Sequence, residues 1–554
     1  MKKWMSISIV SIFFFANCGK DPAPTPSGPL PANFNGAWSV NGKTYSLESY
    51  YDINRTPVIK FWFNAAIDRS TVATSIILKE NSGNPVNYNA TYENGDSVVL
   101  ISPSSPLINI AKYRATALTT LKSKNGGRLF AEKNFSFLTS IDSTSKFPVI
   151  TDDSLLTLVQ KQTFKYFWDF GHPTSGLSRE RNTSGDLVTS GGSGFGVMAI
   201  ITGAERGFIT RAQALARLQT MVGFLKNTAQ KFHGAFPHWL NGNTGVVIPF
   251  STKDNGADLV ETSYLIMGLL CARQYFNGAD AAETGLRNDI NAIWLAVEWN
   301  WFRKNNENVL YWHWSPNYNW DMNHPIRGWN ECLITYLLAR ASSTWGVPQI
   351  VYDNGWTRNG AMTNNNSYGG ITLPLGEPYG GPLFFSHYSF LGIDPNGLND
   401  QYANYKTQVT NHTKINYDWC IMNPNSYFGY SSSCWGLTAS DIPNGYTASS
   451  PTNDVGVIAP TAAISSLPYT PTESMRALKF YYYTLGDKLW KQYGFVDAFA
   501  LKDPWFADSF LAIDQGPIIV MIENYRTQLL WKLFTGCIEV RTGLLALGFS
   551  APYL

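Results

Sequence analysis

The 554-residue chain is longer than one domain usually runs, and with 44% hydrophobic and only 15% charged residues it can bury a large core, which excludes a disordered protein. A net charge of +2, with no basic run and no acidic tail, gives no sign of a nucleic-acid partner. The 14% aromatic content, with 19 tryptophans, exceeds what a core needs; flat rings stack on the apolar faces of sugars, so carbohydrate is the first ligand class to expect.

Met1, Lys2 and Lys3 precede an apolar run from Trp4 to Ala16 that is too short to span a bilayer, so residues 1–17 read as a secretory signal peptide. Cys18 directly follows and resembles the lipidated first residue of a bacterial lipoprotein, although Phe15, Ala16 and Asn17 depart from the usual leucine–small–small pattern. Residues 18–34 are then a Pro-rich, semi-rigid tether. The expected location is the cell envelope, periplasmic or outer-membrane associated, with the membrane reached through the lipid anchor alone. Cys271, Cys332, Cys420, Cys434 and Cys537 are odd in number and widely spaced, which argues against a metal site or a disulfide framework. Cys271 and Cys332 read as packed thiols.

Residues 35–145 alternate apolar and polar positions in short runs broken by turn signals. The clearest strands are 58–63, 75–78, 97–101, 113–117 and 133–138, and their spacing predicts an antiparallel sandwich. The stretch Pro57–Asp68 (PVIKFWFNAAID) and the Phe135–Thr139 ending (FSFLT) resemble a bacterial Ig-like domain. Such modules are spacers; Trp38 or Trp62 is the alternative, as a sugar contact.

From Thr151 the period turns helical, with Asp152, Asp153 and Ser154 as a cap signal. Further helical runs are expected over 194–205, 210–227 with Thr210 as cap, 257–276, 282–302, 328–345, 382–391, 398–422, 458–467, 473–486, 516–533 and 538–547. About twelve helices with Gly- and aromatic-rich connections suit a large all-α domain over 150–554, a closed ring of helical hairpins or (α/α)6 toroid.

Three acids, Asp254, Asp258 and Glu261, sit where a polar loop becomes an apolar helix expected to start near Gly256, and their offsets place them on neighbouring turns of one face. Helix capping is the alternative reading, but it needs one acid rather than three. The long loop before Glu331 carries Trp312, Trp314, Trp320, Asp321, His324, Arg327 and Trp329. A carboxyl among aromatic rings loses hydration, which raises its pKa and suits it to donating a proton. Asp514 precedes Gly516 and Pro517, where a further helix is expected to open. Capping again competes for both acids.

Glycoside hydrolysis asks for two carboxyls, one protonated to assist departure and one ionised to activate water or attack the sugar. Glu331 and Asp514 can fill those roles, with Asp254, Asp258 and Glu261 as hydroxyl acceptors or an alternative base. Gly191–Gly196 (GGSGFG) lacks both a preceding strand of a βαβ unit and a following lysine, so it is no phosphate loop. The seven histidines contain no paired metal motif, and neither a metal nor another cofactor is expected.

Gly191–Ile200 (GGSGFGVMAI), Glu205–Leu215 (ERGFITRAQAL), His233–Leu240 (HGAFPHWL) and Thr262–Leu270 (TSYLIMGLL) resemble the bacterial glycoamylase-like family. The similarity runs on through Gly328–Glu331 (GWNE), Ala459–Ala462 (APTA) and Ile513–Pro517 (IDQGP), covering roughly 150–554. In glycoside hydrolase family 144, characterised members are β-1,2-glucanases with an (α/α)6 fold. The resemblance implies Glu331 as acid and Asp514 as base, with Asp254, Asp258 and Glu261 as further cleft acids; relay through water or a substrate hydroxyl would let Asp258 or Glu261 serve as base. The expected substrate is β-1,2-glucan or its oligosaccharides, bound also by Trp312, Trp314, His324, Arg327 and Trp329. Three readings compete: a glucoamylase-type α-glucan hydrolase, a non-catalytic glycan-binding lipoprotein, which has no need of Glu331 together with Asp514, and a polysaccharide lyase, whose acidic substrate the cleft acids would repel.

Overall fold

The computed structural model describes residues 32–44 and 49–554. The expected signal peptide, the lipidation site Cys18 and most of the tether lie outside the described residues. The chain divides into two units, at Ser140 and Ile141.

The first unit holds two four-stranded sheets among the described residues. One runs β1 (Gly36–Val40), β3 (Ile59–Phe63), β6 (Val98–Pro103) and β5 (Tyr88–Glu93). The other runs β2 (Ser49–Ile53), β8 (Lys133–Thr139), β7 (Lys112–Ala117) and β4 (Ile76–Glu80), the last following a single turn, α1 (Val72–Ser75). Alternation sets the faces: Ile59, Phe61 and Phe63 point into the core, while Lys60 and Trp62 lie on the other face of β3. The expected all-antiparallel pattern needs one correction, because β2 pairs with β8 in parallel. Trp38 stacks on the core ring of Phe135, 5.8 Å away and 3° from parallel, which accounts for this tryptophan by packing.

The second unit is helical: α2 (Asp152–Trp168), α3 (Ser190–Glu205), α4 (Arg211–Asn227), α5 (Leu259–Tyr275), α6 (Ala281–Ala296), α7 (Leu333–Ala341), the single turn α8 (Gln349–Val351), α9 (Tyr405–Met422), α10 (Pro460–Ile464), α11 (Pro471–Lys479), the turn α12 (Gly486–Leu489), α13 (Ala512–Thr527), α14 (Leu529–Thr535) and α15 (Ile538–Ala546). Side-chain caps fix several starts. Thr151 accepts from the Ser154 N–H, Thr210 forms a full capping box with Gln213, and Asp280 caps α6.

Burial alternates along the chain. Fourteen of the sixteen residues of α3 and fourteen of the seventeen of α5 are buried, against six of seventeen in α4 and five of sixteen in α6. Helices buried all round and helices with one apolar face therefore alternate, as an inner and an outer layer require. Glycine lets the inner pair touch. A Cβ at Gly194 would stand 2.2 Å from the Tyr264 carbonyl oxygen, and one at Gly268 2.2 Å from that of Gly194. The Gly-rich run is thus the first two turns of α3, pressed against α5.

Three expectations shift. The run 382–391 forms two short 3-10 turns, Leu383–Ser386 and Ser389–Leu391, rather than an α-helix. Helix α5 begins at Leu259, so Asp254 precedes it and does not share its face. Helix α13 begins at Ala512, placing Asp514 in its first turn and Pro517 inside it, where the ring cannot donate to the Ile513 carbonyl. Among the described residues no helix is long and apolar enough to cross a membrane.

Candidate active site

A pocket of about 440 Å³ opens in the helical unit. Glu180, Glu261 and Glu331 supply its carboxyls; Trp239, Phe250, Trp312, Phe384, Tyr388 and Tyr446 supply rings. A small sheet, β9 (Leu187–Thr189), β10 (Trp239–Asn241) and β11 (Val247–Ile248), sets Thr189 opposite Trp239 and Trp239 opposite Ile248. Glu261, in the first turn of α5, reaches the start of α3: its Oε2 accepts from the Gly191 N–H at 2.8 Å and from the Thr189 hydroxyl at 3.4 Å. A Cβ at residue 191 would lie 2.3 Å from that oxygen, so the seat exists only with glycine there. Burial nevertheless pushes the Glu261 carboxyl up, helped by the Asp258 charge and opposed by His238.

Behind Glu261 lies a charged network. The two-residue strands β12 (Ala257–Asp258) and β13 (His313–Trp314) pair antiparallel and place Asp258 opposite His313. Asp258 caps α5, its Oδ1 accepting from the Val260 and Glu261 N–H groups at 3.0 and 2.9 Å. Its Oδ2 faces His238 Nδ1 at 3.1 Å and His313 Nε2 at 3.7 Å, and Asp254 Oδ2 lies 3.4 Å from His313 Nε2. Burial opposes a charge on Asp258, but the His238 hydrogen bond, both imidazoles and the helix N–H groups outweigh it and hold the carboxyl below its usual range. Burial likewise opposes a charged His238, and Glu261, Asp258 and Asp254 outweigh it, pushing the imidazole up to about 9. His313 goes the other way, down to about 4, because burial dominates. Asp254 is pushed up to about 7 by burial and by the Asp258 charge. His238, Asp254 and Asp258 each offer a donor atom, all within 4.8 Å of one another, a spacing that could hold a cation.

Glu331 lies two residues before α7 and caps nothing; Cys332 holds the cap position. The Ser389 hydroxyl anchors its carbonyl oxygen, and the Cys332 N–H donates to the Asn330 side chain at 2.9 Å. Burial pushes its carboxyl up to about 7, with the charges of Glu261 and Asp258 adding to the shift. Asp514 is 1% exposed and sits one residue along from the pocket-lining Ile513. Burial and the neighbouring carboxyls of Asp497 and Asp441 push its pKa well above the ordinary range. Both acids act electrostatically on the phenol of Tyr388, which ties them to one region of the site.

The expected binding residues separate. Trp312 lines the pocket and stacks beside His313, centroids 5.7 Å apart, with the His324 ring 5.1 Å away. His324 is solvent-exposed and outside the lining. Trp314 is a correction: alternation along β13 turns it away from Asp258's side, and it packs on His233 and Trp301. Arg327 is exposed and donates to the Asn354 carbonyl at 3.2 Å. Trp329 is buried core, stacked on Phe390. Asp254 and Asp258 sit beneath the wall rather than in it. Sequence reasoning missed Glu180, Arg181, Trp239, Phe250, Phe384, Tyr388, Tyr446 and Asp497. His238 and Trp239 did stand in the stretch HGAFPHWL, where a histidine next to a tryptophan is a signal for a sugar contact.

The Glycoamylase family model, described as "Putative glucoamylase", matches residues 323–538, and a bacterial Ig-like domain model matches 42–139. An exo β-1,2-glucooligosaccharide sophorohydrolase (non-reducing end) of Parabacteroides distasonis is 45% identical over 425 residues, 73% of this chain; the chain spans 58% of that relative's length. An endo-β-1,2-glucanase from Chitinophaga pinensis, solved as a sophorotriose and glucose complex, is 53% identical with a TM-score of 0.72, covering 73% of this chain and 100% of that one. A β-1,2-glucanase from Parabacteroides distasonis is 38% identical with a TM-score of 0.70, covering 90% of this chain and 72% of that one.

Proposed function

The chain belongs to the glycoamylase-like family of glycoside hydrolases, and from that premise we infer that it hydrolyses β-1,2-glucan or its oligosaccharides by general acid–base catalysis with carboxyl groups. The observation that carries this reading is Glu331, a buried carboxyl pushed up to about 7 on the wall of an aromatic pocket. A carboxyl that keeps its proton near neutral pH can give it to the departing glycosidic oxygen as the bond to the anomeric carbon breaks. The water oxygen takes that carbon, and the proton it sheds needs an acceptor. Asp514 is the acceptor we assign, reached through an intervening hydroxyl or water because its carboxyl is buried and outside the pocket lining. Asp258 is a poor alternative, since helix N–H groups and imidazoles already engage both of its oxygens. Trp312, Trp239 and Phe250 are the rings that sugar faces would stack on.

The alternation of helices supports an (α/α)6 toroid. The inner members would be α3, α5, α7, the 3-10 turns over 383–391, α10 and α13, with α13 against α3 closing the ring. Cys18 and the Pro-rich stretch after it support a lipid-anchored protein of the cell envelope.

The test is incubation of the purified protein with linear β-1,2-glucan, starch and laminarin, reading product length and anomeric form. Cleavage of β-1,2-glucan alone is expected. Cleavage of starch with β-1,2-glucan untouched would move the protein to the α-glucan reading, and no cleavage of any would leave glycan binding.

A further inference from the structure

Two buried carboxyls below the pocket are unused by the charged network. Asp497 and Asp514 stand within hydrogen-bonding reach of each other once one of them carries a proton, and both are almost wholly removed from solvent. Asp497 Oδ2 accepts from the Asp441 N–H at 2.7 Å, while Asp497 Oδ1 and Asp514 Oδ2 are buried with no donor. The two orphaned oxygens thus belong to the two carboxyls in mutual contact. Two ionised carboxylates cannot persist at that range in a dry site, whereas one proton between them satisfies both oxygens.

We propose that Asp497 is a positioning residue for Asp514: the two carboxyls form a pair holding a single proton at neutral pH, and Asp497 thereby sets when Asp514 is free to accept another. The proposal rests on the reading of Asp514 as proton acceptor. In that reading the proton lost by the attacking water takes the pair from one proton to two.

Among the described residues, no cation binds either carboxyl of the pair directly. Arg181 faces it, but Nη1 binds Asp441 at 3.2 and 3.3 Å and Nε binds Glu180 at 2.9 Å. Asp441 and Glu180 add negative charge from the hairpin Ala439–Ile442 and from the segment before β9. The phenols that Asp514 acts on, Tyr388 and Tyr446, both line the pocket and stay neutral.

Asp497→Asn tests this. The amide keeps the shape, can still accept from the Asp441 N–H and can donate to Asp514, but brings no shareable acid proton. A single remaining carboxyl titrates between the two steps of a coupled pair. Infrared spectra of the unliganded protein across pH should therefore show a protonated-carboxyl band persisting in the wild type to a pH at least about one unit above that at which it vanishes in Asp497→Asn. With β-1,2-glucan, kcat should fall about 10-fold or more, KM should hold, and the acid limb of the pH–rate profile should move to higher pH. Circular dichroism checks that the variant folds. Identical band midpoints and an unmoved acid limb, with or without a lower melting temperature, would overturn the pairing. A wild type inert on β-1,2-glucan would sink the functional reading, and the infrared comparison would still decide the pair.

Discussion

Two groups of acids flank the same pocket and are treated in opposite ways. Asp258 receives two helix N–H groups on one oxygen and faces two imidazoles with the other, so its pKa falls, and with Glu261 it raises that of His238. Glu331 and Asp514 are buried too but meet tyrosines, apolar walls and further carboxyls, and the pKa of each rises. Burial is common to both. The supply of donors decides which carboxyl is a fixed charge and which is an acid.

The largest effect should come from the acid side. Glu331→Gln keeps the shape and removes the proton, and kcat on β-1,2-glucan should fall at least ~100-fold, the usual size of a lost general acid, with the melting temperature little changed. Near wild-type turnover would take Glu331 out of the mechanism. The same group sets an alkaline limb. An acid must be protonated to act, so activity should fall as pH rises through about 7, the value to which burial lifts Glu331. A rate constant flat from about pH 6 to about pH 9 would contradict that assignment.

The charged side should answer more mildly. Asp258→Asn can still cap α5, but it removes the carboxylate that helps push His238 up to about 9. The imidazole titration, followed by NMR, should move down, and kcat/KM should fall by about 10-fold, roughly 1.4 kcal/mol, the worth of one charge-assisted hydrogen bond. A His238 titration left in place would break the contrast, because it would mean that Asp258 is not among the groups that hold the proton.

Glycine separates packing from chemistry on this side. Gly191→Ala puts a methyl 2.3 Å from Glu261 Oε2 and should push that carboxyl off the α3 N–H, lowering activity several-fold and stability by about 1–3 kcal/mol. Gly194→Ala meets the Tyr264 backbone at 2.2 Å instead and should cost about 1–3 kcal/mol of stability, with the remaining folded fraction fully active. Equal activity losses in both folded variants would show that Glu261's seat has no special role.

What could be read from the sequence follows from which features are local. Thr210 as a cap, the strand from residue 59 to 63 and the apolar period of α5 depend on near neighbours, and they lie where expected. The 382–391 run has helical periodicity, yet two 3-10 turns form there. The three-acid cluster was legible as a group, but its geometry was not, because Asp254 reaches Asp258 through His313, 55 residues beyond Asp258 in the chain, across a two-residue strand pair. Asp497 and Tyr446 carried no local signal at all. They come near Asp514 only because the hairpin Ala439–Ala448, the segment around Asp497 that accepts from the Asp441 N–H, and the start of α13 converge.

The loop before Glu331 gives the smallest predicted effect and the sharpest lesson about company in sequence. Trp312, Arg327 and Trp329 looked equivalent there, yet only Trp312 lines the pocket. Trp312→Ala should raise KM for β-1,2-glucan oligosaccharides by about 3–10-fold, the worth of one ring stacked on a sugar face, and leave kcat nearly intact. Arg327 reaches the Asn354 carbonyl at 3.2 Å on an exposed surface, so Arg327→Ala should change KM and kcat by no more than about two-fold, as surface substitutions do. A large rise in KM for Arg327→Ala, seen only with long glucan chains, would mean that bound substrate extends past Trp312 along this loop. The pocket wall drawn at Trp312 would then be too tight.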